Sequence, residues 1–164
     1  MSDIRRAPGD LVLHPVALVG LAVLLLNDHV LKGVAPGWLT GKLSDVAGLT
    51  FLPFLLLALV DVVRRRRTPG VPVAAAVAVS MGTALVFAAV KLVDPVRVLA
   101  AGLAGVARAP IDAVAAWTTG APRPPLVPAL IAADPSDVLA VVACAAVLLV
   151  VRGRPAGAAP EPSG

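Results

Sequence analysis

Four stretches of this chain are too apolar to stay dissolved: LVLHPVALVGLAVLLL at 11–26, LSDVAGLTFLPFLLLALVDVV at 43–63, VPVAAAVAVSMGTALVFAAVKLV at 71–93 and SDVLAVVACAAVLLVV at 136–151. A helix needs about 20 apolar residues to cross the roughly 30 Å of a bilayer's hydrocarbon. Soluble domains are about 45–50% apolar and about 25% charged; here the values are 59% and 15% over 164 residues. A soluble fold of this size has too little interior to hide that surface, so lipid is the better solvent. The reading is all-α: an integral membrane bundle of about four transmembrane helices, with spans at 11–31, 43–63, 71–93 and 136–151.

Between the third and fourth runs, 95–118 is broken by Arg97, Arg108, Pro110 and Asp112. Its uninterrupted apolar piece is too short to span, which predicts an interfacial or re-entrant segment. Residues 119–128 hold four prolines and read as a loop. The expected organisation is a cytoplasmic N-terminus (1–10), a transmembrane helical domain (11–151) and a disordered tail (152–164). The basic start before an apolar run is also the opening of a signal peptide. The run continues into Asn27-Asp28 without a small-x-small cleavage site, so a retained helix is expected.

Local signals refine this picture. His14-Pro15 suits a first helical turn, where a missing N–H costs little. Pro53, mid-run, predicts a kink. Gly33 is a candidate left-handed stop for the first helix, and Thr40 or Ser44 a cap for the second. Asp134-Pro135-Ser136-Asp137 reads as a helix start: N-cap, N1 proline and an acid at N3. Ala74, Ala78, Gly82 and Ala89 form a small-residue face, suited to close helix approach or, alternatively, to lipid-exposed filler. Trp38 and Trp117 are the candidate interfacial anchors. Cys144, alone in an apolar run, reads as a buried small hydrophobe.

With four spans, both termini share one side. That side carries eight basic residues, Arg64 to Arg67 among them, against six on the other. The positive-inside rule therefore puts the termini in the cytoplasm, and the expected localisation is the bacterial plasma membrane, as a multi-pass protein. The Ala/Val/Arg/Pro/Gly bias resembles that of a GC-rich bacterial genome, a codon-usage trait without physical bearing on the fold. The net charge of +4 orients helices in this reading and implies no nucleic-acid partner.

The acids then fall mostly outside. Every span ends near one, and Asp28, His29, Lys32, Lys42, Asp45, Lys91, Asp134 and Asp137 make a candidate polar rim at the outer face. Asp28–Lys32 is spaced i,i+4, Lys42–Asp45 and Lys91–Asp94 i,i+3, all pairing distances on a helix. Capping and ion-pairing are one sufficient account of these residues. The functional account is a surface site for a lipid headgroup, a divalent cation held by carboxylate and imidazole, or a membrane-protein partner. An Asp or His29 as general base would make it a membrane-embedded enzyme on a lipid or polyprenyl-linked substrate. There is no H-E-x-x-H, cysteine cluster or phosphate-binding glycine loop to name a cofactor or a catalytic residue.

Asn27-Asp28-His29-x-Leu31-Lys32, Gly41-Lys42-Leu43-Ser44-Asp45-x-Ala47-Gly48-Leu49 and Asp134-Pro-Ser-Asp137 together resemble uncharacterised small bacterial multi-pass membrane proteins. That resemblance covers most of the chain and implies no known activity. Gly41-x-x-x-Asp45 also resembles half of the CDP-alcohol phosphatidyltransferase signature. The full pattern needs an upstream D-G-x-x-A-R and a further acid where this chain has Leu49. VanZ-like membrane proteins are similar in size and four-helix character, without motifs that align here.

Overall fold

The computed structural model describes residues 8–35, 37–64 and 71–153. Arg5, Arg6, Arg65 to Arg67 and the tail beyond Gly153 lie outside the described residues. Among the described residues every regular element is helical. After a short 3-10 turn at Asp10–Leu13 come α1 (Pro15–Val34), α2 (Trp38–Arg64), α3 (Val73–Leu92), α4 (Asp94–Thr119) and α5 (Pro135–Arg152). All five are long and apolar enough to cross a membrane. Large side chains such as Leu18, Leu25, Leu59, Leu85 and Leu149 face outward, which suits hydrocarbon as solvent and not water.

The described chain forms two compact units, one of residues up to Leu85 with those from Leu139 on, the other Val86–Val138. In the first, α1 and α2 lie antiparallel. Gly20 makes this possible, since a Cβ there would sit 3.2 Å from Thr50 Cγ2 and 3.3 Å from the Ala47 carbonyl. Toward the chain start, His14 stacks on Phe54 with centroids 6.0 Å apart, and Gly9 N–H donates to Asp61 Oδ2 at 3.1 Å. Leu11, Ala17, Phe54, Leu57, Ala76, Val147 and Val151 form the core.

His14 is the N-cap of α1, its Nδ1 accepting from Val16 N–H at 3.3 Å, with Pro15 at N1 as expected. Gly33, however, does not stop the helix. Positive φ among the described residues occurs at Gly9 and Gly120. The chain instead passes through a π-helical turn at Asn27–Leu31, where Lys32 N–H reaches back five residues to the Asn27 carbonyl, and carries on to Val34. α2 starts five residues before the expected boundary, because Thr40 Oγ1 accepts from Gly37 N–H at 3.1 Å and caps the first turn. It runs unbroken through the buried Pro53.

Two further expectations are corrected. On α3 the small-residue face does not pack: Ala74, Ala78 and Gly82 are exposed, and Ala76, Ser80 and Thr83 are buried instead. The 95–118 segment is not interrupted, since α4 is one continuous helix. Arg97 pairs with Asp94, and Arg108 with Asp112 at 2.9 Å, one turn apart. Pairing within the helix satisfies the charges that seemed to break it. Pro110 loses one hydrogen bond inside a helix otherwise intact.

In the second unit α4 ends at Gly120, with φ 67°, and 121–134 turns back along it as an irregular strap. Asp134 then starts α5: its Oδ1 accepts from Ser136 N–H at 2.9 Å and Ser136 Oγ at 2.6 Å, the capping read from the sequence. α5 opens as a 3-10 run, Pro135–Ala145, and continues as an α-helix, Ala146–Arg152, with Cys144 buried.

Candidate functional site

The polar residues of the first unit gather where α1 and α2 meet, at the π-helical turn. Asn27 is fully buried. Its Nδ2 donates to the Thr40 carbonyl and to Ser44 Oγ, both at 2.7 Å. Ser44 Oγ donates in turn to Asp28 Oδ1 at 2.5 Å. Lys32 Nζ lies 2.7 Å from that same Oδ1. Four residues thus form one directed chain of hydrogen bonds, from a buried amide to a half-exposed ion pair. π turns are rare and often mark functional sites.

Two acceptors in this chain stay open. Asn27 Oδ1 is buried with no hydrogen-bond partner. Asp28 Oδ2 carries neither of the contacts that load Oδ1. A buried unpaired acceptor loses about 1–3 kcal/mol of solvation with nothing in return.

Other candidates lie nearby with different roles. His29 is exposed and its Nδ1 donates to the Leu25 carbonyl at 3.0 Å, so that nitrogen is bound to its own helix. Lys42 sits over the exposed Trp38 ring, 4.8 Å from its centroid. Trp and Lys one turn apart are the pair expected at a membrane–water boundary. Asp45 is half-buried on α2, one residue past Ser44.

In the second unit Lys91 does not pair with Asp94. Its Nζ lies 2.6 Å from Asp137 Oδ2 and 5.3 Å from the Phe87 centroid, with both charged side chains about nine-tenths buried. Asp94 is taken by Arg97. The eight candidates therefore fall into two sets: Asp28, His29, Lys32, Lys42 and Asp45 in one unit, Lys91, Asp134 and Asp137 in the other. Among the described residues no three His, Cys, Asp or Glu side chains gather as metal ligands.

Asn27 and Ser44 are absent from the candidate rim read in the sequence, where Ser44 stands only as a possible cap. A signal was present. An Asn closing a run of leucines, with Thr40 and Ser44 one turn apart, is the pattern of a polar inter-helix contact. No family model, curated protein or solved structure matches the chain.

Proposed function

We propose that this chain is a polytopic membrane protein with a binding or accessory role, whose α1–α2 end holds a zwitterionic lipid headgroup. The Asn27–Ser44–Asp28–Lys32 chain supports the reading. Asp28 Oδ2, on a half-exposed side chain, is an acceptor for a headgroup ammonium, and Lys32, also half-exposed, is a cation one turn away for its phosphate. The Trp38–Lys42 pair, of the kind enriched at membrane–water boundaries, supports headgroup depth for this end. An enzymatic reading, on a lipid or polyprenyl-linked substrate, rests on the Ser44–Asp28 contact. It is the weaker one, because Lys32 shares the oxygen on which Ser44 would rely as base.

The topology that goes with this function has four spans, with cytoplasmic termini and α4 in the interface. Asp94, Arg97, Arg108 and Asp112 recur at helical spacing along one stripe of α4, while Leu99, Leu103, Val106, Val114 and Trp117 are exposed elsewhere on it. An amphipathic helix of this kind lies in the membrane plane. Were α4 to cross, Arg108, about 21 Å along the axis from Asp94, would sit near mid-bilayer, at a cost of at least about 2.5 kcal/mol.

The test is native mass spectrometry of detergent-purified protein with added phosphatidylethanolamine, wild type beside Asp28→Asn, Lys32→Gln and Asp45→Asn. The expected result is retained lipid in the wild type and about tenfold less in Asp28→Asn and Lys32→Gln, the loss of one charge-assisted contact. Equal retention in all four, with helicity unchanged, would leave capping and ion-pairing as the whole role of the network.

A further inference from the structure

α4 and the strap that follows it enclose a groove of about 570 Å³ inside the second unit. It owes its form to Gly105. The Ala129 N–H donates to the Ala101 carbonyl at 2.9 Å, and a Cβ on Gly105 would lie 2.3 Å from the Val127 carbonyl oxygen. The strap therefore crosses α4 at Gly105, where the helix presents no side chain. Four prolines limit its conformational freedom. It runs antiparallel to the helix, so the same trace carries Arg123 toward Arg108 and Asp112. Extended chain advances about 3.3 Å per residue against 1.5 Å for a helix, and four strap residues thus cover more than two helical turns.

The groove has a basic end and apolar walls. Arg108, Arg123 and Asp112 line it together with Ala109, Leu126 and Leu130. Asp112 engages Arg108 through Nε alone, at 2.9 Å. That contact leaves the two terminal guanidinium nitrogens to donate elsewhere. Arg123 forms no ion pair with any described acid. The groove thus has an excess of one positive charge, from two arginines and one aspartate in its lining, and one guanidinium whose terminal nitrogens are available as a fork. Paired N–H groups of this kind match the oxygens of a phosphate.

We propose that this groove binds a phosphate ester, with Arg108 and Arg123 on the phosphate oxygens and Leu126 and Leu130 against the apolar part of the molecule. It is a separate site from the one at Asp28, built from other residues in the other unit, and it asks for an anion. The phosphate can come from a lipid headgroup or from a soluble ester.

The experiment equilibrates full-length protein in phosphatidylcholine nanodiscs with phosphatidylglycerol or with glycerol 3-phosphate, and counts bound ligand by native mass spectrometry. The variants are Arg108→Gln, Arg123→Gln, Arg108→Lys and, outside the groove, Arg97→Gln. Wild type is expected to retain one phosphatidylglycerol. Either Gln variant in the groove lowers retention about tenfold, Arg108→Lys lowers it severalfold because the fork is gone, and Arg97→Gln leaves it unchanged. Retention of glycerol 3-phosphate with the same variant pattern assigns the site to soluble esters. Binding that falls equally in Arg97→Gln, binding unaffected in the groove variants, or no retention of either probe by the wild type overturns the proposal. Arg108→Lys keeps the charge and the fold, so it separates loss of the fork from loss of structure.

Discussion

Lys91 and Asp137 show what a single buried charge demands of its surroundings. The pair is nearly closed off from solvent, with 2.6 Å between Nζ and Oδ2, and neither charge is tolerable there alone. Removing one partner of a buried pair typically costs about 3–5 kcal/mol, while replacing both by apolar residues of similar size is close to neutral. Lys91→Met is therefore expected to destabilise the protein by roughly 3 kcal/mol, and Lys91→Met with Asp137→Leu to recover most of that. Unfolding midpoints in denaturing detergent, followed by circular dichroism, check both. A double variant no more stable than the single one would show that the contact is not energetically coupled. Spacing points to the right residue and the wrong partner: the i,i+3 rule pairs Lys91 with Asp94, whereas its partner is 46 positions away. Asp28–Lys32 succeeded because both members lie on one helix. Helical periodicity carries i,i+4 information and none about which later helix returns.

At the scale of elements, the strap was legible as a loop from its prolines, but its course along α4 was not. That course depends on a missing Cβ, and a glycine inside a helix has several readings in sequence. Gly102 and Gly105 look alike in the sequence and differ in three dimensions, as Gly102 has nothing within 4 Å of an added Cβ. Gly105→Ala is accordingly expected to lift the strap, whereas Gly102→Ala leaves it in place. Hydrogen exchange of the Ala129 amide, which donates to Ala101, reads this directly. It should speed up by about tenfold or more in Gly105→Ala, an opening easier by about 1.4 kcal/mol, and stay unchanged in Gly102→Ala. Equal exchange in the two would mean that the strap is not held by that crossing. The same limit applied to the α3 stripe. Ala74, Ala78 and Gly82 share one small-residue face, but such a face records only that close approach is permitted, and the packed side of α3 carries Ala76 instead.

For the whole molecule the open choice is whether α4 crosses the membrane, and charge counting decides it poorly. Four spans put eight basic residues on the side of the termini and six on the other. Five spans put seven on the N-terminal side and six opposite, with Arg108 left in the hydrocarbon. A difference this small orients weakly. The cost of Arg108 at mid-depth and the exposed apolar side chains of α4 favour the interface. The two arrangements differ in one property that needs no ligand. With four spans the termini lie on the same side; with five they lie on opposite sides. In a Cys144→Ala background, which removes the chain's single cysteine, Ser2→Cys and Ser163→Cys are labelled in sealed right-side-out vesicles with a membrane-impermeant maleimide. Four spans predict that both sites are protected until the vesicles are opened. Labelling of Ser163→Cys but not Ser2→Cys in intact vesicles would make α4 a true span. Arg108 would then need its Asp112 partner to be tolerated in hydrocarbon, and the phosphate ester proposed for the groove would have to be reached from within the bilayer.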